Sequence, residues 1–563
     1  MFDTRKSTLI ETPQSKVGTR SNAFVSAATR ATSITRTENS ATTYSTSGNA
    51  FVDQFSKFSS YLKPRPYSEV AKDMETLWNI NSLAAVRFAF GIRLITRETI
   101  TNDGKFNGKG GELKNEGIYR MMWLGVNHPA IFKTYLPLFI CIGSWKDVFT
   151  MLREDLSFHG WKERKLDWDY MGNIIVSGLR SKSQAELVKK YLPHIKSSKN
   201  QTTVRNQANT MIGKWIASLL FEKYTYKEYR KLKASGTAHS WQQLISKRQF
   251  NLIDFDKIHG KALSKLVKSK FLKNHGLSEK YSTWIQKPEV LEKGVKTTSF
   301  VHELFRDLPD INSYRLSTVR VDPNLKATIN AQFDTLIKKA KAGKNEFTVD
   351  WLVVRDISRS MGSTVAGANM SAGNIAKALA LYFSHMIESS RFNKHYAVFA
   401  STVGMREWKG TTPVDQWMND TENYVGSTNL QSVIDMICQL KRQGIPESEF
   451  PTGLLLISDY EFDPTELGAT NIQMMLAKLR AVGFSQSFVD RFIIVMWNMI
   501  GGSYNRASNV KFDVGANQKN VFYFSGFSGS MLQFLNNTKV KTSEDLVEEF
   551  LSQPILKLID WKQ

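Results

Sequence analysis

The chain has 563 residues, of which 42% are hydrophobic and 23% are charged. This length exceeds what one hydrophobic core usually spans, so two or three soluble globular domains are expected. Only two cysteines are present, which argues against a disulfide framework and makes a reducing, cytoplasmic compartment the default. No apolar run is long enough to cross a bilayer, and the N-terminus lacks the apolar core of a signal peptide.

The positive charge is unevenly distributed along the chain. The net charge is +23, from 75 lysines and arginines against 52 acidic residues. Residues 346–563 hold 19 basic and 22 acidic residues, so the whole excess lies in residues 1–345. An excess of this size favours a polyanion-binding N-terminal body over lysines that merely solvate helices, and nucleic acid is the expected partner.

The first 345 residues divide into an arm and a helical region. Residues 1–67 are rich in Ser, Thr, Ala and Asn with little apolar periodicity. Such a segment buries too little surface to offset its ordering entropy, which predicts a flexible arm. Residues 68–345 show apolar spacings of three and four without alternating strand patterns. Successive amphipathic pairs predict an all-α, HEAT-like solenoid, and we interpret the glycine-rich stretch 104–115 as a flexible basic loop.

The pattern changes in residues 346–563 to apolar runs of strand length that alternate with amphipathic helices. The expected strands are FTVDWLVVRDIS, YAVFAS, GLLLISD, RFIIVMWN and NVFYFSG. Strands alternating with helices of this length predict a parallel, doubly wound α/β domain. The stretch SEDLVEEFLSQPILKLI is expected to form its last helix.

Three segments of this α/β domain carry oxygen ligands where strands end. The first strand ends in a D-x-S-x-S pattern formed by Asp356, Ser358 and Ser360; Thr428 precedes a helix, and Asp459 follows the strand LLLIS. D-x-S-x-S alone is also common in turns and N-caps. Ligands bind at the carboxyl ends of strands in open α/β sheets, so the three segments are expected to converge. Two carboxylates and three hydroxyls suit Mg²⁺ or Mn²⁺.

These motifs resemble the metal-ion-dependent adhesion site of von Willebrand factor A domains. The resemblance implies that Asp356, Ser358, Ser360, Thr428 and Asp459 hold the ion, some of them through water. Few of these donors are charged, so the ion would stay electrophilic and accept a carboxylate or phosphate oxygen from a partner. The resemblance also implies a binding role, because such domains usually bind and no activated nucleophile flanks the pattern.

A second candidate site lies in the basic stretch 241–276. Its cations are Lys247, Arg248, Lys257, Lys261, Lys265 and Lys268, several of them at helical spacing, and His259 lies among them. Such cations neutralise phosphates, and aromatic side chains such as Phe250 stack on unpaired bases. The alternative is the solvated outer face of ordinary helices. A further basic group lies upstream and consists of Lys189, Lys190, Lys196, Lys199 and Arg205.

The domain order, the KR…IHGKALSKLV segment and the metal motifs resemble the Ro autoantigen family of TROVE-domain RNA-binding proteins, over about half of the chain. The family includes bacterial and bacteriophage forms. The resemblance implies a solenoid closed into a ring, with structured RNA outside and single-stranded RNA ends inside. It also implies that Lys247, Arg248 and His259 contact RNA, whereas the role of Lys261, Lys265 and Lys268 rests on charge. The long N-terminal arm departs from the family pattern.

The sequence therefore predicts a non-enzymatic RNA-binding protein, part of a ribonucleoprotein, with a Mg²⁺- or Mn²⁺-binding A-type domain. The rival hypothesis is a structural or adhesion component of an assembly such as a phage particle, found in the virion, whose ion receives an acidic side chain of a partner protein. A metal-dependent nuclease or NTPase is a weaker rival, because the chain lacks a phosphate loop and a clustered acid/base pair.

Overall fold

The computed structural model describes residues 22–57, 65–95, 97–101, 103–221, 226–235, 241–258, 260–295, 297, 300–308, 320–341, 349–365, 368–387, 390–422, 424–465, 468–499, 511–525 and 541–561. These residues divide into two compact units. The helical unit contains residues 65–253 and 551–561, and the α/β unit contains residues 22–57 and 254–550. Within these ranges, no helix has both the length and the apolar character that a membrane span requires.

The N-terminal segment 22–57 is folded onto the α/β unit, although its composition predicts a flexible arm. It forms α1 (Ala23–Ala31), the hairpin strands β1 (Ile34–Arg36) and β2 (Thr42–Tyr44), and α2 (Ala50–Lys57). The ring of Phe55 packs edge-on against Phe524 and Phe550, with centroids 5.9 and 5.3 Å apart. Composition alone does not predict that this segment is folded, because its apolar partners come from the far end of the chain.

The helical unit consists mainly of packed helices, as the sequence predicts. Its elements are α3 (Tyr67–Ile80), α4 (Ser82–Arg93), β3 (Arg97–Thr101), β4 (Gly104–Gly108), α5 (Lys114–Asn127), α6 (Pro129–Ile142), α7 (Trp145–His159), α8 (Trp168–Arg180), α9 (Ala185–Tyr191), α10 (Val204–Leu220), α11 (Tyr226–Ser235) and α12 (Trp241–Ser246). Helix α3 packs on α4 and α5, α5 on α6 and α7, and α7 on α9 and α10. Strands β3 and β4 pair in an antiparallel hairpin, so the interpretation of 104–115 as a flexible loop is wrong for its first residues.

Six further helices, predicted in the helical region, group instead with the α/β unit. They are α13 (Gly260–Lys268), α14 (Phe271–Asn274), α15 (Ser278–Ile285), α16 (Pro288–Lys293), α17 (Val301–Phe305) and α18 (Pro323–Lys341). Phe305 stacks on Trp417 with centroids 4.7 Å apart, and the Lys326 ammonium lies 2.6 Å from the Asp415 carboxylate. Apolar periodicity identifies such helices but does not show which hydrophobic core they join. The domain boundary predicted at residue 345 therefore does not follow from periodicity.

The rest of the α/β unit is a six-stranded sheet flanked by helices. Its elements are β5 (Trp351–Asp356), β6 (Thr364–Val365), β7 (Met370–Ser371), α19 (Ala372–Met386), β8 (His395–Phe399), β9 (Val403–Glu407), α20 (Pro413–Asn419), α21 (Gln431–Arg442), β10 (Gly453–Ser458), α22 (Asn471–Ala481), α23 (Gln486–Arg491), β11 (Ile493–Asn498), β12 (Val521–Ser525) and α24 (Ser543–Leu551). A short helix, α25 (Pro554–Lys557), follows in the helical unit. Pro554 divides the single closing helix that the sequence predicts, because proline lacks the backbone donor that a continuous helix needs.

The strand order is β12-β11-β10-β5-β8-β9. All neighbours are parallel except β9, which pairs antiparallel with β8 at the sheet edge. The sheet is therefore mixed and not wholly parallel as predicted. From β5 the chain goes to β8 on one side and later returns to β10 on the other. The topological switch point consequently lies between β5 and β10, where open α/β sheets bind ligands.

Candidate metal centre and basic surfaces

Two acidic residues lie at the carboxyl ends of the strands that flank the switch point. Asp356 is the last residue of β5, and Asp459 directly follows Ser458, the last residue of β10. The two strands are paired in parallel, so their carboxyl ends meet at the same edge. Both carboxylates are buried, with Asp356 0% and Asp459 6% exposed.

Asp356 is held by two serines. The backbone N–H of Ser358 donates to its Oδ1 at 2.7 Å, and the Ser458 hydroxyl donates to its Oδ2 at 2.6 Å. Burial raises the pKa of Asp356, and the nearby carboxylate of Asp459 raises it further, whereas the serine donors lower it. The orientation of Asp356 therefore depends on Ser358 from the loop after β5 and on Ser458 from the end of β10.

Asp459 is connected to the loop after β5 through a serine pair. The hydroxyls of Ser358 and Ser360 are 3.1 Å apart. Burial raises the pKa of Asp459, and hydrogen bonds from Ser360 and from the Glu461 backbone lower it. Within the described part of the chain, neither Asp356 nor Asp459 forms an ion pair with a lysine, arginine or histidine. The site thus concentrates two buried carboxylates without a cationic partner there.

Thr428 is carried by a loop that is tied to both strand ends. The backbone N–H of Val425 donates to the Ile357 carbonyl at 3.0 Å, and the N–H of Asp463 donates to the Thr428 carbonyl at 3.0 Å. Gly426 adopts φ +81°, and a Cβ there would come within 2.6 Å of a neighbouring hydroxyl. This turn therefore requires glycine, and it sets Thr428, which is buried, beside the other two segments.

The donor set fits a hard divalent cation. The loops that carry the five predicted metal-site residues are linked to one another by hydrogen bonds, as the strand-end argument expects. Among the described residues, no group of three or more His, Cys, Asp and Glu side chains could hold a metal ion. An ion at this edge would therefore depend on hydroxyl oxygens and water in addition to the two carboxylates, which suits Mg²⁺ or Mn²⁺.

Sequence reasoning missed three residues around this site. Ser458 stands directly before Asp459, and its hydroxyl at a strand end was a usable signal. Glu461 holds the Asp459 carboxylate through its backbone N–H at 3.3 Å. Asn39 comes from the N-terminal segment, and its side-chain N–H lies 3.5 Å from the Thr428 hydroxyl. No pattern in the sequence connects residue 39 with this site.

The residues predicted to bind RNA are distributed over both units. Lys247 and Arg248 are exposed after α12 in the helical unit, whereas Lys265 and Lys268 lie on α13 in the α/β unit. Lys268 forms an ion pair with Asp307. His259 and the side chain of Lys261 lie outside the described residues. Lys257 and Lys265 are thus exposed, but Lys257 is paired with Asp254 and Lys268 with Asp307.

The helical unit has a denser basic region around α9, α10 and α11. Residues 182–233 contain twelve lysines and arginines but three glutamates. We define the α9–α11 surface by its exposed cations, Lys182, Lys190, Lys196, Lys199, Arg205, Lys214, Lys227, Arg230 and Lys231. Partial burial and the cations Lys233 and Lys196 lower the pKa of His194 in this region. The surface includes most of the upstream basic group noted in the sequence.

Hydrogen bonds hold the elements of the α9–α11 surface together. The Tyr229 hydroxyl on α11 donates to the Pro193 carbonyl at 2.9 Å, and the N–H of Lys196 donates to Thr210 on α10 at 3.2 Å. The Arg230 guanidinium lies 3.9 Å from the centroid of the Tyr226 ring. Cationic side chains are therefore combined with an aromatic face, as in many sites for single-stranded nucleic acid.

Comparisons with known proteins place one family model on the α/β unit. A model described as a domain of unknown function, DUF7788, matches residues 350–554. A search of curated proteins finds no match. Among solved structures, the chain is similar to the crystal structure of the Deinococcus radiodurans RO (RSR) protein, at 12% identity and a TM-score of 0.36. That alignment covers 78% of this chain and 87% of that chain; at this level it carries no functional assignment.

Fold and site together define the class of protein. It combines a helix-rich unit that has a strongly basic surface with an α/β unit whose six-stranded mixed sheet carries buried carboxylates and hydroxyls at its switch point.

Proposed function

We propose that this chain is a non-enzymatic RNA-binding protein of the Ro type, whose α/β unit is an A-type domain that holds Mg²⁺ or Mn²⁺. The observation that carries the proposal is the convergence of three separate loops, with two buried carboxylates and three hydroxyls, at one switch point. Asp356, Ser358, Ser360, Thr428 and Asp459 would hold the ion directly or through water. The bound ion would supply a Lewis-acidic position for a carboxylate or phosphate oxygen.

The chain's own residues would prepare this position for binding. Ser458 and the backbone of Ser358 orient Asp356, while Ser360 orients Asp459. The two carboxylates would supply the charged contacts to a divalent ion, and the hydroxyls would add neutral donors that leave it electrophilic. Among the described residues, the hydrogen bonds to Asp356 and Asp459 come from serines and from backbone N–H groups, and we assign a binding role to the site.

Titration with Mn²⁺ tests the metal half of the proposal. Asp356→Asn and Thr428→Ala should each weaken binding at least about tenfold, because each removes a charge or a donor from the site. Asp435→Asn is the matched control, since that exposed carboxylate on α21 pairs with Lys478 and not with the site. Wild-type protein that binds no divalent cation, or variants that bind as tightly as wild type, would refute this half.

The α9–α11 surface supports the proposal that the bound polyanion is RNA. Its cations are exposed on one compact group of helices, and the adjoining Tyr226 provides a ring face. Neutralising several phosphates releases counterions, so the affinity should fall steeply with salt. Stacking of bases and the shape of the RNA would then select unpaired RNA segments, whatever their base sequence.

Charge reversal tests the RNA half. Lys190→Glu, Lys196→Glu and Lys199→Glu together should lower the affinity for single-stranded RNA at least about tenfold at low salt. Reversal of Lys261, Lys265 and Lys268 on α13 should have a smaller effect, because Lys268 is already paired with Asp307. The control, equal in charge change, reverses three exposed lysines of the α/β unit, namely Lys394, Lys409 and Lys519.

Unchanged RNA affinity in the first variant would remove the α9–α11 surface from the proposal. The rival function, a component of an assembly such as a phage particle, predicts protein partners and no copurifying RNA. In that case Asp356→Asn would prevent assembly and leave any RNA affinity intact. Sequencing the nucleic acid that copurifies with the native protein distinguishes the two.

A further inference from the structure

The hairpin of β1 and β2 lies at the candidate metal centre. Its turn, residues 37–41, is closed by a hydrogen bond from the Thr37 N–H to the Ala41 carbonyl at 3.0 Å and by one from the Ala41 N–H to the Thr37 hydroxyl at 2.8 Å. Ser40 adopts φ +74°, a left-handed conformation that this tight turn imposes. The tip is thus a defined structure that presents Glu38 and Asn39.

Three contacts fix the tip to the loop after β10. The Thr37 hydroxyl donates to the Phe462 carbonyl at 2.7 Å in a buried position. The Asn39 side-chain N–H donates to the Glu461 carbonyl at 2.6 Å, and the backbone N–H of Glu38 donates to the Glu461 carboxylate. The same carboxylate accepts two bonds of 2.7 Å from Lys511. Glu461, whose backbone N–H donates to the Asp459 carboxylate, therefore joins the hairpin to Asp459.

The strand after the tip is anchored independently of the metal-site residues. Tyr44 exchanges two backbone hydrogen bonds with Phe512, at 2.7 and 2.9 Å. Within the described residues 22–57, the tip is the part that reaches the site, where the Asn39 side-chain N–H lies 3.5 Å from the Thr428 hydroxyl. Loss of a tip contact should for this reason change the site without releasing the whole segment.

We propose that the chain's own N-terminal hairpin is the partner of the metal site. It docks on Thr428 and on the Asp459–Glu461 loop, and it docks more tightly when a divalent cation is bound. The inference rests on the proposed metal site and names its partner. Asn39 is a positioning residue that acts through Thr428, and Glu461 couples the hairpin to Asp459. Because binding free energies are reciprocal, docking of the tip in turn raises the affinity for the cation.

Hydrogen–deuterium exchange of residues 37–41, with and without Mn²⁺, tests this coupling in the full chain. Mn²⁺ should slow exchange of the Glu38 amide several-fold, since its acceptor is the Glu461 carboxylate. Asn39→Ala should weaken Mn²⁺ binding about fivefold, the effect of losing one hydrogen bond. The matched control is Asn419→Ala, which also removes an amide donor to a backbone carbonyl but touches no metal-site residue.

The outcomes separate this inference from the metal site itself. Equal exchange with and without Mn²⁺ in a wild-type protein that binds the ion would overturn the coupling and leave the metal site in place. Tighter Mn²⁺ binding by Asn39→Ala would overturn it as well, because the hairpin would then compete with the ion. Wild-type protein that binds no Mn²⁺ would refute the metal site, and the inference with it.

Discussion

Ser458 contributes to the site without being one of the predicted ligands. Its hydroxyl donates to the buried carboxylate of Asp356 at 2.6 Å and fixes the direction of its second oxygen. Such supporting hydrogen bonds change metal affinity by about 10–100-fold when removed. We expect Ser458→Ala to weaken Mn²⁺ binding by at least about tenfold, measured by calorimetric titration. Ser432→Ala, which removes a hydroxyl bond to the Asn429 carbonyl, is the control; equal affinities in the two variants would contradict this role.

The positions of the five candidate metal-site residues after strands or before a helix could be predicted, because the local pattern reveals where those elements end and begin. Ser458 and Asn39 could not be assigned their contacts in the same way. The bond from Ser458 to Asp356 spans 102 residues, and the contact from Asn39 to Thr428 spans 389. Periodicity describes neighbours along the chain, whereas these contacts depend on how the sheet and the hairpin are brought together.

Asp513 gives the α/β unit a pH dependence of its own. Its buried carboxylate accepts the Ile472 N–H at the start of α22 at 3.1 Å, and burial raises its pKa to about 7. A raised folded-state pKa means that the protonated form is favoured on folding. The stability it confers is therefore complete below about pH 4 and is lost as the pH rises through 7.

Replacing Asp513 by Asn should remove this dependence. We expect wild type to lose on the order of a few kcal/mol of unfolding free energy, relative to Asp513→Asn, between pH 5 and pH 8. Urea unfolding at the two pH values measures the difference. Asp490→Asn, at an exposed site, is the control. A difference between wild type and Asp513→Asn that does not grow with pH would contradict the assignment.

At the scale of elements, the chain after α24 stabilises the helical unit. The Arg87 guanidinium donates to the Ile559 carbonyl at 3.0 Å, and the Tyr135 hydroxyl donates to the Asp560 carbonyl at 2.7 Å. Trp561 stacks on Trp78 with centroids 6.5 Å apart. A segment that follows the α/β domain in sequence is thus part of the other core.

Truncation of one buried side chain measures this contribution. Ile559 is fully buried, so Ile559→Ala should lower the unfolding free energy of the helical unit by about 2–5 kcal/mol. Lys557→Ala, at an exposed position two residues earlier, should have little effect. Thermal unfolding of both variants in the full chain gives the comparison, and an unchanged Ile559→Ala melting curve would show that the segment is not part of that core.

An element could be predicted from the sequence where its own residues carry the apolar pattern of a strand or helix. The strands β5 and β10 are buried on both faces, and their unbroken apolar runs identified them. Strand β9 has a largely exposed pattern, so no apolar run marked it. The segment 22–57 has a composition that predicts a flexible arm, and its Phe55 ring packs against Phe524 and Phe550, which lie far away in the sequence.

At the scale of the whole molecule, the exposed positive charge and the buried carboxylates lie in different units. The α9–α11 surface exposes an excess of cations to solvent, where salt screens them. The α/β unit instead buries two carboxylates at its switch point, where water screens them little. RNA affinity should accordingly respond to salt far more strongly than affinity for a divalent cation does.

The most direct test of the account is a crystal structure of the full chain soaked in Mn²⁺, with anomalous scattering recorded at the manganese edge. The account predicts an anomalous peak at the carboxyl ends of β5 and β10, among Asp356, Ser358, Ser360, Thr428 and Asp459, that disappears in Asp356→Asn. Absence of a peak there at millimolar Mn²⁺, or a peak only at another place in the molecule, would contradict it.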